Sequence, residues 1–478
     1  MSRKYIHIIL LCLLTFILGS CKKYLEIQPE DKYTEEQIFS SENAINEVLN
    51  GLYGSLANTS LYGAQLSSTT IELMGQRYNV YPNSSSNINN VTYPRLQSYS
   101  YSDNNVQKIF DGIWTQAYST IIQANNFIRN LDQATVNGVI ASSNASLLKG
   151  EAIGIRALLH FDMLRLFGPV YLTSATSAAI PYYTKADAKA QPILPAKQAL
   201  DSVLKDLSLA ATLLANDPVI GNGITASKNF YNGYRNQRLN YYAIKALQAR
   251  VYLYGGNKTA AYDAAKVIIE QGEKWFPWLS YSSIVSETSN PDRIFSTEVL
   301  FGIYNSTMYT NYTSYFSSDL VKEDLLTSEP ERLISTFENN ENDYRYTTTW
   351  LSTAKGRTLY KYADIEDKTK PWRFIQPLIR KSEMYYILAE TETNPAAALN
   401  YLNTVRYNRG LTPLASVYDI NEEIMKEYQK EFYGEGQIFF YYKRLNVPYI
   451  PDATMGYSWA TVSPVYEVPL PLSETTPR

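Results

Sequence analysis

Hydrophobic residues recur at helical spacing along most of this chain. Between 104 and 131, for example, Phe110, Trp114 and Ile121 fall on one face of a helix. The run at 146–167 is followed by Gly168-Pro169, a typical end signal for a helix. Runs of this kind predict helices at 35–56, 104–131, 146–167, 197–215, 238–254, 258–271, 376–392, 395–409, 420–433 and 437–444.

Several of these helices are joined by short turns, and small residues occur where neighbouring helices would cross. The pattern is clearest at 238–271, where Ala243 and Ala260 mark the two helices, and at 376–409. Helix pairs of about 34 residues are the unit of tetratricopeptide stacks. We therefore predict a mainly α, tetratricopeptide-like stack in a single domain at 21–478. Its four pairs are 35–56 with 104–131, 146–167 with 197–215, 238–254 with 258–271, and 376–392 with 395–409.

Two long stretches lose the helical period. Residues 58–103 are rich in Asn, Ser and Tyr, and residues 272–374 alternate aromatic with polar side chains. We interpret both as irregular loop excursions that leave the stack on one side. The second excursion is expected to include short strands or a short helix near 329–338.

The N-terminus is typical of an exported protein. Arg3 and Lys4 precede the apolar run 6–18, and Gly19-Ser20 stand just before Cys21. The run is shorter than the roughly 20 residues that a membrane-spanning helix needs. Residues 1–20 are therefore predicted to be a signal peptide. The arrangement is similar to the lipobox of bacterial lipoproteins, which implies that Cys21 becomes the lipidated N-terminus and anchors the chain to a membrane.

Composition excludes several kinds of site. Loss of residues 1–20 would leave Cys21 and His160 as the one cysteine and the one histidine, so we expect no disulfide and no Cys or Cys/His zinc site, and we assign no metal ligands. His160 lies within an apolar helical run and is predicted to pack in the core. The net charge would change from -3 to -5 because Arg3 and Lys4 are lost. Such a chain is not expected to bind nucleic acid.

Two groups of residues could indicate catalysis or a cofactor. Residues 221–226 match the dinucleotide pattern G-x-G-x-x-A, but no strand is predicted before them, and a plain loop is favoured. No cofactor is therefore expected. A pair of carboxylates is sufficient to hydrolyse a glycoside, so a loop-borne glycosidase stays an alternative function. Its candidate acids lie in polar loops where solvated charge is the simpler interpretation: Asp364, Glu366 and Asp367, or Glu341 and Asp343.

Tyrosine is the residue type that most suggests binding. The sequence has 42 Tyr against 16 Phe and 6 Trp, and Tyr combines a flat apolar face with a hydroxyl group. A sugar ring needs such a platform beside short polar side chains, and both excursions place Tyr among Asn. The predicted ligand contacts are therefore Tyr78, Tyr81, Tyr93, Tyr309, Tyr312 and Trp350, with Arg345 as a charged donor.

The helical runs also resemble those of a known family. GEAIGIRALLHFDMLRLFGPV at 150–170 resembles the signature of the SusD/RagB family of outer-membrane lipoproteins. Further similarities follow in the family's order over about 450 residues. They include residues 21–53, IWTQAYSTIIQANNFI at 113–128, ALQARVYLY at 246–254, residues 379–410, EFYGEGQIFFYYKR at 431–444 and VPLPL at 468–472.

The resemblance implies a function as well as a fold. It implies a cell-surface protein, lipid-anchored in the outer membrane and without catalytic activity. Such a protein captures glycans, or peptides in some members, for a partner TonB-dependent transporter of the SusC-like type. A glycosidase and a purely structural surface repeat protein are the alternatives from other functional classes.

Overall fold

The computed structural model describes residues 38–80, 88–187, 189–454 and 460–475. The signal peptide and Cys21 lie outside the described residues. The α-helices are α1 Glu42–Leu56, α2 Thr70–Met74, α3 Ile88–Gln97, α4 Asn104–Val136, α5 Ser142–Phe167, α6 Tyr171–Ser174, α7 Ala196–Leu213, α8 Pro218–Asn222, α9 Tyr241–Tyr254, α10 Lys258–Val267, α11 Met308–Tyr315, α12 Pro330–Thr336, α13 Tyr344–Thr348, α14 Lys381–Thr391, α15 Pro395–Tyr407, α16 Ile420–Glu431, α17 Ile438–Leu445 and α18 Leu472–Thr475.

The strands are short and pair two by two. Within the described residues, four antiparallel sheets form, which pair β1 with β2, β3 with β6, β4 with β5 and β7 with β8. The strands are β1 Ala178–Pro181, β2 Ile193–Pro195, β3 Val299–Tyr304, β4 Trp350–Thr353, β5 Gly356–Leu359, β6 Ile375–Arg380, β7 Ile450–Pro451 and β8 Thr461–Val462. The fold is thus mainly α, as predicted.

The long helices form a continuous stack. Helix α1 packs on α4, α4 on α5, α5 on α7, α7 on α9, α9 on α10, α10 on α14 and α14 on α15. Each of the four predicted helix pairs is therefore a pair of neighbours. Helices α5 and α9 approach each other closely at Gly154 of α5, where an added Cβ would lie 2.6 Å from the Cδ1 atom of Ile244 in α9.

Helix starts follow from local capping chemistry. Asp103 precedes α4, and its side chain accepts hydrogen bonds from the backbone N–H groups of Asn105 and Val106. Asn394 caps α15 in the same way, and Pro395 occupies the first turn, where its missing N–H costs nothing. Both helices begin close to the positions that the sequence predicts.

The predicted helix at 376–392 is wrong in its first residues. Residues 375–380 form β6, which pairs with β3 so that Gln376 lies opposite Ile303, and the helix begins at Lys381. Every residue of β6 is buried, and Pro377 has no N–H for a helical hydrogen bond. A short run buried on both faces has no periodicity that separates strand from helix.

The first excursion is also corrected. Residues 58–80 do not leave the stack as an irregular loop, because Leu61, Ile71 and Met74 are fully buried in the main core. Helix α2 gives part of this segment regular backbone structure, and a turn at Thr59–Gly63, kinked at Leu61, precedes it. The second excursion contains β3, the β4–β5 hairpin and three short helices, and α12 confirms the expected helix near 329–338.

A buried network of charges connects the second excursion, the stack and the C-terminal helices. The Glu431 carboxylate at the end of α16 pairs with Arg345, Arg380 and Arg409. Glu435 extends the network by pairing with Arg380. Buried charges are tolerated when they are fully paired, so the network ties these three parts of the chain together.

His160 packs in the core, as predicted. Its Nε2 atom accepts a hydrogen bond from the Tyr183 backbone N–H at 3.0 Å, and its Nδ1 atom lies 2.9 Å from the Arg156 carbonyl. The ring stacks on Tyr182 at 3.9 Å between centroids. Burial lowers the pKa of His160 to about 3, so the imidazole is neutral at physiological pH.

Candidate ligand-binding site

Three of the predicted ligand contacts lie in the protein interior. Tyr78 is fully buried and packs against Phe316, while Trp350 is 2% exposed and packs against Tyr433. Tyr93 is also buried. The predicted stacking of a ligand on these three rings does not agree with the structure, because each ring is buried.

Two other predictions concern charge and position. Arg345 is buried and directs its guanidinium to the carboxylates of Asp343 and Glu431, so it is a member of the charge network and not a free donor. Tyr81 lies outside the described residues. The remaining predicted contacts, Tyr309 and Tyr312, are half-buried on α11.

Tyr309 and Tyr312 belong to a cluster of accessible aromatic rings. Tyr309 and Tyr304 each contact Phe374, at centroid distances of 4.9 and 5.1 Å, and Tyr304 is 54% exposed. Trp372 joins them by packing on the same small core of α11, β3 and β6 as Tyr309 and Tyr312. We call this surface the aromatic face, defined as Tyr304, Tyr309, Tyr312, Trp372 and Phe374.

Backbone pairing and one ion pair position the aromatic face. The Asn305 N–H donates to the Phe374 carbonyl at 2.8 Å, which holds the end of β3 beside the start of β6. Arg373 lies over the rings of Tyr309 and Phe374, at 4.7 and 4.6 Å from their centroids. Asp364 accepts two hydrogen bonds from that guanidinium at 2.7 Å, which fixes its orientation.

Two tyrosines of the aromatic face, Tyr309 and Tyr312, have neutral hydroxyl groups, and that of Tyr309 donates to the Arg373 carbonyl. Burial raises the pKa of Tyr312 to about 12 and raises that of Tyr309 further. Both phenols therefore keep their protons at physiological pH. Each offers an apolar ring beside a polar group, a combination suited to a ligand with apolar and hydroxylated surfaces.

Trp372 also lines a cavity of about 480 Å³, which lies within the range of small-ligand pockets. Trp275 contributes a second indole ring to the lining, which also includes Tyr234 and Lys274. We call this cavity the tryptophan pocket. Its lining residues are Asn222, Ile224, Ala226, Tyr234, Asn236, Lys274, Trp275, Pro277, Ser296, Thr297, Pro371, Trp372 and Ile375.

One buried polar atom of a residue that lines the tryptophan pocket lacks a hydrogen-bond partner among the described residues. Asn236 is 7% exposed, and its side-chain Oδ1 atom makes no hydrogen bond with any described residue. A buried unpaired acceptor costs about 1–3 kcal/mol unless water or a ligand supplies a donor. The Lys274 ammonium lies 4.4 Å from the Trp275 ring centroid and adds a donor at the edge of the pocket.

The loop at 221–226 shapes the Trp275 side of the pocket. Gly223 has φ +66°, and a Cβ added there would lie 2.4 Å from the Trp275 Cε3 atom. The indole N–H of Trp275 donates to the Ile220 carbonyl at 3.2 Å. Gly223 thus permits the close approach of an indole ring. Gly221 and Asn222 end α8, and the rest of the G-x-G-x-x-A pattern is irregular backbone.

Two family models match this chain. Residues 23–253 match a family described as "Starch-binding associating with outer membrane", and residues 298–463 match the SusD family. The chain belongs to the SusD/RagB family. The resemblance noted in the sequence is thereby confirmed.

Individual SusD/RagB relatives are distant in sequence. The chain is 24% identical over 300 residues to SusD-like protein P25 of Formosa agariphila, an alignment that covers 62% of this chain and 51% of the relative. A SusD-like protein of Bacteroides ovatus is 22% identical over 293 residues, or 61% of this chain and 46% of the relative. The chain therefore spans about half the length of these curated relatives.

Solved structures share the fold. A SusD superfamily protein from Bacteroides thetaiotaomicron superposes with a TM-score of 0.68 at 22% identity, covering 91% of this chain and 97% of that one. A SusD-like carbohydrate binding protein from Bacteroides vulgatus gives a TM-score of 0.65 at 18% identity, covering 86% and 85%. The tetratricopeptide-like stack of this SusD/RagB chain is thus a shared architecture.

The acidic residues considered for catalysis are dispersed in this SusD/RagB chain. Asp343 is buried against Arg345, and Arg373 holds the pKa of Asp364 below its usual range through hydrogen bonds. The other three occupy exposed or half-buried loop positions: Glu341, Glu366 and Asp367. Across the described residues, no group of three or more His, Cys, Asp or Glu side chains is arranged to hold a metal ion.

Trp275 and Trp372 were not among the predicted site residues. Both occur in polar loops beside lysine and proline, at KWFP and KPW, a local signal that could have identified them as accessible rings. The tryptophan pocket nevertheless joins loops near 222, 275 and 372, and local patterns carry no information about such distant contacts.

None of the described helices is both long and apolar enough to cross a bilayer.

Proposed function

We propose that this chain captures glycans at the cell surface and delivers them to a partner TonB-dependent transporter of the SusC-like type. Family membership supports glycan binding, because the matching family model is described as starch-binding and one structural neighbour as carbohydrate binding. The single observation that carries the proposal is the continuity of the aromatic face with the tryptophan pocket through Trp372.

The chemistry of this combined site suits a sugar chain. Sugar rings have an apolar C–H face and a rim of hydroxyl groups, and they stack on flat aromatic rings. Trp275 and Trp372 provide such rings. Lys274, at the edge of the pocket, supplies a donor for the hydroxyl rim. Tyr309 and Tyr312 extend the aromatic surface outside the pocket, which lets one oligosaccharide contact both parts.

The pocket chemistry favours binding over hydrolysis. A glycosidase needs two carboxyl groups on either side of the bond that breaks. The described lining of the tryptophan pocket includes neither Asp nor Glu. Asp364 near the aromatic face is held ionised by Arg373, whereas a general acid needs a raised pKa. The proposed activity is therefore capture without catalysis.

A binding screen tests this part of the proposal. Purified protein lacking residues 1–20 is measured against soluble polysaccharides and peptides by affinity electrophoresis, and the mixtures are assayed for reducing sugar. The proposal expects retardation by a glycan with no sugar release. Sugar release from the bound glycan would establish the hydrolase. Retardation by peptides alone would assign the chain to peptide capture, and no binding at all would favour a structural role.

Lipid anchoring and the transporter complete the proposal. The anchor would be attached at Cys21, followed by the polar tether at 22–34, with the protein on the outer surface of the outer membrane. Native protein extracted in mild detergent should co-purify with a large outer-membrane barrel. Its recovery without any such protein would contradict delivery to a transporter while leaving glycan binding in place.

A further inference from the structure

A second cavity lies away from the lining of the tryptophan pocket. Its volume is about 220 Å³, below the range of typical ligand pockets and suited to a single chemical group. Arg77 and Arg332 line it, together with Ser335, Lys426 and Tyr442. We call this cavity the arginine pocket.

Arg332 is a buried cation with incomplete pairing. It is 7% exposed, and no carboxylate of the described residues lies within ion-pair distance of its guanidinium. Its Nη2 atom donates to the backbone carbonyls of Asp452 at 2.9 Å and Ala460 at 3.4 Å. Its Nε–H has no partner among the described residues. Burial lowers the pKa of Arg332, which shows the cost of holding its charge in this position.

Arg77 has a similar deficit. It is 5% exposed, lies 3.6 Å from the centroid of the Tyr433 ring and also has an unpaired Nε–H. Its nearest carboxylate oxygen belongs to Glu72, 3.9 Å from that Nε. The Glu72 carboxylate already accepts hydrogen bonds from the backbone N–H groups of Gly434 and Gly436. Burial raises the pKa of Glu72 to about 7, so this carboxyl group is only partly ionised at neutral pH. Its negative charge therefore compensates the positive charge of Arg77 incompletely.

The other charges of the arginine pocket are paired. Lys426 at the rim donates to Glu423 at 2.6 Å. Glu338, the acid of the lining, accepts a hydrogen bond from Lys430. Asp452 attracts Arg332 and Glu72 attracts Arg77, but these carboxylates compensate the two guanidinium groups only in part, and the two groups repel each other.

We propose that the arginine pocket binds one oxyanion, a carboxylate, sulfate or phosphate group. Planar guanidinium groups match the oxygen geometry of such anions, and a buried positive charge is stabilised most by a negative partner. The anion is either a free inorganic ion or an acidic group carried by a captured glycan. Binding of the free ion does not rest on the proposed glycan function.

Isothermal titration of the protein lacking residues 1–20 with sodium sulfate and sodium phosphate tests this proposal. Sodium chloride at matched ionic strength is the reference, because sulfate also stabilises proteins without binding them. We expect a saturable isotherm with one site for at least one of the two oxyanions. Arg332→Gln should weaken it by about tenfold or more, consistent with loss of a charged hydrogen-bonding partner.

Arg357→Gln is the matched control. Arg357 lies outside the lining of the pocket, pairs with the exposed Glu341 and stacks over Tyr346, so its replacement should leave the isotherm unchanged. If Arg332→Gln does not fold, the titration of the wild-type protein alone decides whether the chain binds an oxyanion. Absence of a saturable isotherm for both oxyanions, or equal affinity in folded Arg332→Gln, would overturn the proposal.

A second arm identifies the source of the anion. A uronic acid oligosaccharide and its carboxyl-reduced, neutral form are compared as ligands. Tighter binding of the acidic form that is lost in Arg332→Gln supports a glycan-borne anion. Equal binding of both forms, with sulfate or phosphate still bound, supports a free ion. Replacement of Trp275 and Trp372 by Ala should leave inorganic anion binding intact, which separates this site from the proposed glycan site.

Discussion

Arg409 and Glu431 form a buried ion pair in which the Nη2 to Oε1 distance is 2.7 Å. Arg409 follows α15 at the end of the stack, whereas Glu431 ends α16. The second oxygen of Glu431 lies 3.0 Å from Arg345 Nη1, in the second excursion. One carboxylate thus joins the tetratricopeptide-like stack to the segment that carries part of the ligand site.

Glu431→Gln should strongly destabilise the protein. The change removes the negative charge that faces three buried arginines, and uncompensated buried charge typically costs about 3–5 kcal/mol. Urea unfolding followed by circular dichroism measures the loss. Glu341→Gln is the control, because the exposed pair with Arg357 should contribute less than about 1 kcal/mol. Similar unfolding midpoints for the two variants would contradict the structural role of Glu431.

Stability should fall in acid because of Glu427, which belongs to the same network through its ion pair with Arg345 at 2.8 Å. Burial alone would raise the pKa of Glu427, but Arg345, Lys430 and Arg406 outweigh burial and lower it to about 2. Its folded pKa lies below the unfolded value of 4.5, so its contribution is complete above pH 4.5 and is lost as the pH falls to about 2.

Urea midpoints measured across that pH window check the acid dependence. Glu427→Gln should reduce the change in midpoint between pH 4.5 and 2, since Gln does not titrate.

Glu72 should change the stability in the opposite direction. Burial raises its pKa to about 7, so the stability linked to its neutral form is lost as the pH rises from 4.5 to about 7. For Glu427, a wild-type urea midpoint that stays constant between pH 4.5 and 2 would contradict the lowered pKa.

Gly223→Ala should damage the tryptophan pocket selectively. The new Cβ would lie 2.4 Å from Trp275 and would occupy a backbone conformation with φ +66°. The indole ring must move, so glycan affinity and tryptophan fluorescence should both change. Gly221→Ala in the same loop is the control, because a Cβ there meets nothing within 4 Å. Equal affinities for both variants and the wild type would contradict the role of Trp275.

Cys21→Ser should release the protein from the membrane. The predicted anchor requires the thiol of Cys21, so the variant should leave the membrane fraction after cell lysis. Cys12→Ser is the control, because Cys12 lies within the predicted signal peptide and should be removed from the mature chain. Intact mass should show a lipidated N-terminus at Cys21 in that control. A wild-type mass that begins at Met1 without modification would contradict the anchor.

Helical periodicity was sufficient to predict the stack but not the two excursions. The neighbours in the stack follow one another along the chain, so short turns and small residues such as Ala243 and Ala260 report their packing directly. In contrast, β6 is buried on both faces, and its sequence continues without a break into the start of α14. Pairing with β3 determines the backbone conformation of residues 375–380, and the local sequence pattern carries no information about that pairing.

Tyrosine density in the sequence did not distinguish accessible rings from buried ones. Tyr309 and Tyr312 do lie on an accessible aromatic surface, whereas Tyr78 and Trp350 pack in the core. Tyr is compatible with both environments because its ring is apolar and its hydroxyl is polar. Its abundance in a loop therefore does not separate ligand contact from core packing. Trp275 and Trp372 meet only after folding, since about a hundred residues separate them along the chain.

The most direct test of glycan capture is the affinity of the Trp275→Ala, Trp372→Ala double variant. Isothermal titration with a glycan identified in the binding screen compares it with the wild type and with Tyr418→Ala, a fully exposed tyrosine outside the site. Stacking contributes about 1–3 kcal/mol per ring, as estimated from bases on aromatic side chains. We predict at least about a tenfold loss for the double variant and none for Tyr418→Ala. Unchanged affinity in a folded double variant would contradict the account.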